Sequence, residues 1–429
     1  MLRAGQRRKS STGRGSSSNN NNNNNNGDAD NASSHAMGDS YRETSGNQYS
    51  AHRGCQDLLL GCANRLRERQ DRAPKQEWKI ADLGSADGSN SIRTLEVFLE
   101  ALNSSSRDND GASSRPARLH IVFEEHPSSD EARLTETVSS WLDTKNRGGD
   151  DGFAITGEVL LKSFYEPLFE ADSIDFCMSY ICLHWLDSSD TRTSDGIRGW
   201  SRLHLADGGR SPSAAEDTAA DPENFLQVSE RTAPPALRAL WKRELADPHL
   251  AKFLTLRARE LRPGGDLLVA MVGHPNGLWR PEKTHESPLL RAMRRCVSEG
   301  SLRRSVLART VVPYYLRTPA DVTDALALAR ETASEDPGDP VHALELLEVR
   351  SYECPFGDGG GGNGMEGARD LFWAIHGGAV VHTGGATEDE VEAIRNQLVR
   401  SFDESYDAVM GTVPVTFVAC VFRKSPAGS

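Results

Sequence analysis

Apolar positions along the chain fall into seven short runs of strand-like period. They are Trp78–Leu83, Leu119–Glu124, Ala154–Leu160, Ile174–Ser179, Asp266–Val272, Leu347–Tyr352 and Val415–Phe422. Between the first five lie stretches of helical period: Ser89–Leu102, Asp130–Leu142, and Ala236–Leu261 ahead of Pro263-Gly264-Gly265. Strand and helix in alternation predict an α/β fold, a mostly parallel sheet covered on both faces. The last run, VTFVACVF, is apolar on both faces and predicts an interior strand. Glu286–Leu307 and Thr318–Thr332 are also helical in period and follow the fifth strand. They predict a helical cap over the ligand crevice, spanning residues 281–333.

Polar stretches interrupt this pattern at Asn103–Pro116, Asp143–Asp151, Asp187–Pro235 and Pro355–Gly367, all rich in Ser, Gly and Asp. Loops of that length are either functional or disordered, and these read mostly as disordered insertions. Residues 1–38 differ from the rest: there is no acid before Asp28, and eight asparagines run from Asn19 to Asn26. They read as a disordered low-complexity tail, with an organellar transit peptide as the alternative. The folded region is then expected over residues 39–425.

A net charge of −13 argues against a general nucleic-acid or anionic-membrane partner. Seven cysteines, odd in number and with no CxxC pair, suggest free thiols in a reducing compartment, hence a cytoplasmic location. No apolar run approaches the ~18 residues of a membrane span.

The segment WKIADLGSADGSN, Trp78 to Asn90, reads as a strand running through a tight turn into a helix. Asp82 precedes Gly84, and Gly84 and Gly88 bracket the turn. Glycine permits positive φ and lets a ligand lie against bare backbone, while the helix start offers free N–H groups. Acids end the next strand, LHIVFEE, where a carboxylate can accept from ribose hydroxyls. DLGxxxG is neither GxGxxG nor a P-loop. It suits an adenosine ligand without pyrophosphate, namely S-adenosyl-L-methionine; a turn that merely needs glycine is the alternative. Ser163-Phe164 precedes the fourth strand, and Phe164 reads as an aromatic for an adenine face or as core. His184-Trp185 follows that strand directly, where residues line the crevice of such sheets. A tryptophan there can aim its indole N–H at a substrate oxygen or can simply fill the core.

Together, the segments SYRETSGNQ, IADLGSADGSN, FEEHPSSDEA, KSFYEPLF, IDFCMSYICLHWL, ELRPGGDLLV and VSEGSL resemble the plant SABATH methyltransferases. The resemblance runs from Ser40 to Lys424. It implies a class I methyltransferase fold with a Rossmann-like, seven-stranded sheet, and S-adenosyl-L-methionine as methyl donor. By that resemblance Ser45, Asp82, Gly84, Ser85, Asn90, Glu125, His126, Ser163 and Phe164 fall at cofactor positions. Tyr41, Gln48, Tyr180, Ile181, His184 and Trp185 fall on the substrate side, with Gln48 and Trp185 orienting a carboxylate. Some positions depart from the family pattern. Ser85 replaces a cysteine, His126 a leucine, and Ile181 the family's tyrosine, whose contact is lost or moved to Tyr180. Ala308 and Val311 replace an aspartate and an asparagine linked to magnesium in some members, and neither side chain can supply a ligand oxygen. No metal is therefore expected.

The activity implied is methylation of a small-molecule carboxylic acid to its methyl ester. A carboxylate, with a pKa near ~4, is ionised at neutral pH and needs no general base. Methylation of a ring nitrogen and a non-catalytic cofactor-binding protein are the alternatives. A homodimer is expected by analogy alone.

Overall fold

The computed structural model describes residues 46–104, 116–148, 154–187, 235–274, 287–333, 338–355, 376–405 and 414–426, with positions 190, 226, 233, 369 and 373. All belong to the unit Ser33–Ser429. The expected tail at 1–38, Tyr41, Ser45 and most of the insertions lie outside the described residues.

Seven strands form one sheet: β1 (Glu77–Leu83), β2 (Arg118–Glu125), β3 (Ala154–Leu161), β4 (Ile174–Tyr180), β5 (Leu261–Val272), β6 (Leu344–Pro355) and β7 (Pro414–Lys424). Their order is β3-β2-β1-β4-β5-β7-β6. The first five pair in parallel, while β7 runs antiparallel to both β5 and β6. The chain moves outward from β1 through β2 to β3, then returns to place β4 on β1's other side. That reversal opens a crevice beyond the carboxyl ends of β1 and β4, where ligands bind in such sheets.

β5 is longer than its sequence suggests, because Pro263-Gly264-Gly265 lies inside it rather than before it. The β4–β5 register shifts between Ile174 and Phe176, a bulge that takes up the proline and Gly264 at φ 80°. The helix expected at Ala236–Leu261 is likewise interrupted. It consists of α5 (Pro235–Trp241), a π-turn (Lys242–Ala246) and α6 (Asp247–Glu260).

One face of the sheet is covered by α2 (Gln56–Arg72) and α3 (Ser89–Ser104). Leu58, Leu59, Cys62, Ala63 and Leu66 form the buried stripe of α2 at helical spacing, and Phe98 of α3 stacks on Phe176 at 4.7 Å. Leu250, Phe253 and Leu254 of α6 cover the other face. Helix α4 (Glu131–Gly148) follows β2 and precedes β3, and it runs on through residues 143–148, which the sequence reads as the start of an insertion.

A short helix, α1 (Gly46–Gly54), which the apolar pattern does not predict, precedes α2 and is docked. His52 Nδ1 lies 2.6 Å from Thr94 Oγ1, and its ring stacks on Tyr180 at 4.0 Å. Gly54 lies directly against the Tyr352 ring and Cys354, where any side chain would collide. α1 is thus pinned between α3 and β6, and it carries the backbone of Gln48.

The helix expected at Glu286–Leu307 is two helices, α7 (Pro288–Glu299) and α8 (Arg304–Arg309). Gly300 at φ 76° ends α7, as a left-handed glycine cap does. α9 (Pro319–Thr332) begins with a Thr318–Asp321 capping box. The apolar face of α7 packs with Val306, Tyr314 and Trp185 in a cluster that also takes in Val272, Cys354, Val415 and Phe417 from β5, β6 and β7. α10 (Glu388–Ser405) has a buried Ile394 and Leu398 in the same cluster.

Candidate active site

The turn after β1 is built by its neighbours as much as by its own glycines. Gly84 and Gly88 have φ 79° and 81°, and Ala86 between them has φ 51°. Gly84 N and Ser85 N both donate to the Glu124 carbonyl, at 3.0 and 2.9 Å. Gly84 N also donates to Glu124 Oε2 at 3.0 Å, and Ala86 N to Glu125 Oε2 at 2.6 Å. The tip of β2 therefore moulds the loop into its left-handed shape. Beneath it, Ser85 Oγ donates to Asp82 Oδ2 at 2.7 Å.

A pocket opens at this point, with about 660 Å³ of empty space counted together with the solvent at its mouth. Gly84, Ala86, Glu124, Glu125 and His126 line one end. Ser163, Phe164 and Tyr165 line the side, and Tyr180, Ile181, Cys182, Trp185 and Leu186 the remainder. Of the residues proposed from sequence, the structure gathers Gly84, Glu125, His126, Ser163, Phe164, Tyr180, Ile181 and Trp185 around one space. Asp82, Ser85 and Asn90 stand buried behind the turn and do not line it. His184 also stays behind the wall, packed on Trp185 and edge-on to Tyr314. Gln48 lies in α1, and Tyr41 and Ser45 lie outside the described residues.

Sequence reasoning named Glu125 but missed Glu124. Glu125 Oε1 accepts from His126 N and Ser129 Oγ, both at 2.9 Å, and its Oε2 from Ala86 N. Glu124 is fully buried, and its Oε1 has no hydrogen-bond partner among the described residues. Oε1 is therefore an unsatisfied carboxyl oxygen on a residue that lines the pocket. The signal was available: a carboxylate inside the buried run of LHIVFEE is rare unless something pairs with it.

These acids share one electrostatic condition. Burial pushes the Asp82 carboxyl up to about 6, against the pull of the Ser91 and Ser85 hydroxyls, and the charge of Glu125 adds to the rise. Burial raises Glu124 well above the ordinary carboxylate range, with Glu125 adding to it, and burial also raises Glu125. A cation placed at this end would favour the ionised forms of all three.

The aromatic wall is held from behind. The Phe164 carbonyl accepts from Arg257 Nη1 at 3.0 Å, and the Phe164 ring meets Phe253 edge-on. Tyr165 Oη donates to the Trp185 carbonyl at 2.7 Å. Ile181 adopts φ 58° directly after β4. A β-branched side chain in that region stores about 1–3 kcal/mol of strain, which is typical of ligand-clamping positions. Its turn sets Cys182 against Gly84, with Cys182 Sγ 3.4 Å from the Gly84 carbonyl.

That contact defines a prediction. A methyl group on Gly84 would run into the Cys182 side chain, at a φ that L-residues avoid. Gly84→Ala is expected to cost about 1–2 kcal/mol of stability and to weaken cofactor binding about tenfold or more. Thermal melting and calorimetric titration with S-adenosylhomocysteine check both; unchanged affinity would remove the turn from the cofactor site.

The residues present fit an adenosine-containing cation: a glycine turn without a Cβ, an unsatisfied buried carboxyl oxygen and an aromatic side wall. Among the described residues, no group of three or more His, Cys, Asp or Glu side chains is arranged to hold a metal ion. No helix among them is long and apolar enough to cross a membrane.

Comparison with known proteins gives a consistent result. Residues 33–331 match the family model described as SAM-dependent carboxyl methyltransferase. Gibberellic acid methyltransferase 1 of Arabidopsis thaliana is 26% identical over 278 residues, covering 63% of each chain. Jasmonate O-methyltransferase of the same plant is 24% identical, covering 55% of this chain and 58% of the relative. In both cases the match spans less than two thirds of the relative's length. The solved structure of loganic acid methyltransferase with SAH superimposes with a TM-score of 0.66 at 16% identity, covering 92% of this chain and 99% of that one. At that identity the likeness is one of fold. With a family match across more than half its length, the chain belongs to the SAM-dependent carboxyl methyltransferases.

Proposed function

We propose that this protein methylates the carboxylate of a small-molecule acid, giving the methyl ester. The supporting observation is the polarity of one pocket. Its Glu124–Glu125 end suits a cationic cofactor, and its Tyr180–Ile181–Trp185 end is neutral and apolar. S-adenosylmethionine would supply an activated methyl group. Gly84, Glu124, Glu125, Ser163 and Phe164 would hold it, with Asp82 beneath contributing charge.

A carboxylate substrate is already ionised at neutral pH, so no base is required of the protein. Its task is to position the acid and keep water out. Gln48 and Trp185 would orient the carboxylate through neutral donors. Neutral donors suit this reaction better than an arginine touching the substrate oxygens. An arginine would stabilise most strongly the charge that is lost on the way to the transition state. The relatives named above act on gibberellic acid, jasmonate and loganic acid, all carboxylic acids. The Ile181 substitution reshapes the wall where those substrates would lie, so the acid accepted here is expected to differ.

The test is transfer of a tritiated methyl group to a panel of aromatic, fatty, terpenoid and indole carboxylic acids, with xanthines included. A base-labile labelled product supports an ester. Label retained on a xanthine nitrogen would replace this reading with N-methylation. Tight cofactor binding with no transfer would favour a binding protein.

A further inference from the structure

Arg317, like Arg257, is a fully buried arginine near the site, and neither sequence nor resemblance singles it out. It is fully buried, just before the Thr318 cap of α9. Nη1 donates to the carbonyl of Leu183 at 2.6 Å and of Tyr315 at 3.4 Å. Nη2 donates to the carbonyl of Ala246, the last residue of the π-turn, at 2.7 Å. These acceptors are neutral carbonyl oxygens, and Nε has no partner among the described residues. Removing a guanidinium from water without a direct counter-charge costs several kcal/mol, so stability alone is a poor account of it.

What the guanidinium joins is more informative. Leu183 precedes His184-Trp185. That segment is clipped to residues 313–315 by Tyr315 N to the His184 carbonyl (2.8 Å) and Leu186 N to the Pro313 carbonyl (2.9 Å). Trp185 and Tyr314 form the bridge between them. The Arg317 main chain continues the clip, its carbonyl accepting from His274 N just beyond β5 at 2.8 Å. One side chain thus ties together the turn after β4, the π-turn before α6 and the segment leading into α9. A π-turn within a helix is often kept for function rather than stability. Tyr165 Oη and Arg317 Nη1 hold the same tryptophan turn from two directions.

We propose that Arg317 is a positioning residue: through the Leu183 and Ala246 carbonyls it fixes the Trp185 side chain against the acid substrate. This rests on the carboxylate reading above. A misplacement of about 1 Å at such a distance from the chemistry can cost on the order of 100-fold. Arg317 itself does not line the pocket.

The test uses the full chain with Arg317→Met and Arg317→Lys. The indole N–H resonance of Trp185, identified by its loss in Trp185→Phe, is followed alongside KM for the best acid and the dissociation constant of S-adenosylhomocysteine. Arg317→Met is expected to displace the Trp185 resonance and raise KM about tenfold or more, with cofactor affinity held within threefold. Arg317→Lys, keeping one cationic donor, should lie between. A folded Met variant with an unmoved resonance and unchanged KM overturns the proposal. So does loss of cofactor binding together with all seven indole resonances in both variants, which would mark a purely structural residue. If the wild type esterifies no acid, the carboxylate reading fails, while the resonance still decides the role of Arg317.

Discussion

Trp185→Ala is expected to lower kcat/KM for the preferred acid by on the order of 100-fold, the loss expected when the group that positions a reactant is removed. Two losses combine. On the proposed reading the indole offers a neutral N–H to the substrate, and its rings form part of the pocket wall, meeting Tyr314 edge-on at 5.5 Å and 89°. Trp185→Phe separates them by keeping the ring and deleting the donor. It should keep the packing and raise KM for the acid, because the donor that orients the carboxylate is gone. Since Trp185 belongs to the cluster that holds α7, truncation to alanine will also cost about 3–5 kcal/mol of stability. Titration with S-adenosylhomocysteine tells damage from mechanism: the cofactor end is built from other strands, and its affinity should change less than threefold. Full catalytic efficiency in Trp185→Ala would sink the assignment.

The second large effect is a pH dependence that distinguishes substrate from product. Burial pushes the Asp82 carboxyl up to about 6, holds Glu124 well above the ordinary carboxylate range, and raises Glu125 as well. A bound sulfonium favours their ionised forms, so its binding expels protons. Its affinity should therefore rise with pH, by up to about tenfold per unit for each proton released, and level off above the empty-site values. S-adenosylhomocysteine has no sulfonium charge and should show a shallower slope. Product inhibition will thus weigh more heavily at pH 5.5 than at pH 8. Parallel calorimetric titrations of both ligands test this, and equal slopes would show that the acids do not sense the methyl donor's charge. Glu124→Gln should flatten the methyl-donor slope.

The same acids act on the empty protein in the opposite sense. The raised value of Asp82 means that it holds more of its proton in the folded state than in the unfolded one between about 4 and 6. For Asp82, stability without ligand falls as pH rises through that window and is recovered when the cation binds.

Most of the sheet could be read from the sequence because period and burial agree. All seven strands occur where alternation or apolar runs predict them. What escaped has identifiable causes. Pro263-Gly264-Gly265 looked like punctuation, yet a bulge lets β5 absorb it. α1 was hidden because GNQYSAHRG has almost no apolar stripe; its docking depends on a histidine stack and on a glycine pressed against Tyr352. At the site, the Gly84 turn and the Phe164 and Trp185 walls were legible because their residue types are distinctive. Glu124 was passed over in favour of its neighbour. Arg317 could not be found at all, since its three acceptors are backbone carbonyls contributed by positions far apart in sequence. The left-handed turn at Ile181 is likewise invisible to pattern, because isoleucine is among the residues least suited to it.

The position of β7 governs how this protein can be made. Synthesis on the ribosome delivers β5 and β6 well before the strand that belongs between them. In that interval both expose unpaired edges, each a template for pairing with another chain. The partly made protein therefore has two adhesive borders facing a gap of one strand's width. They stay open until VTFVACVF leaves the exit tunnel and threads between them in the opposite direction. A stop codon placed before residue 414 would leave those borders permanently open. Such a chain should be recovered in inclusion bodies or on chaperones, even though every residue lining the pocket is already present.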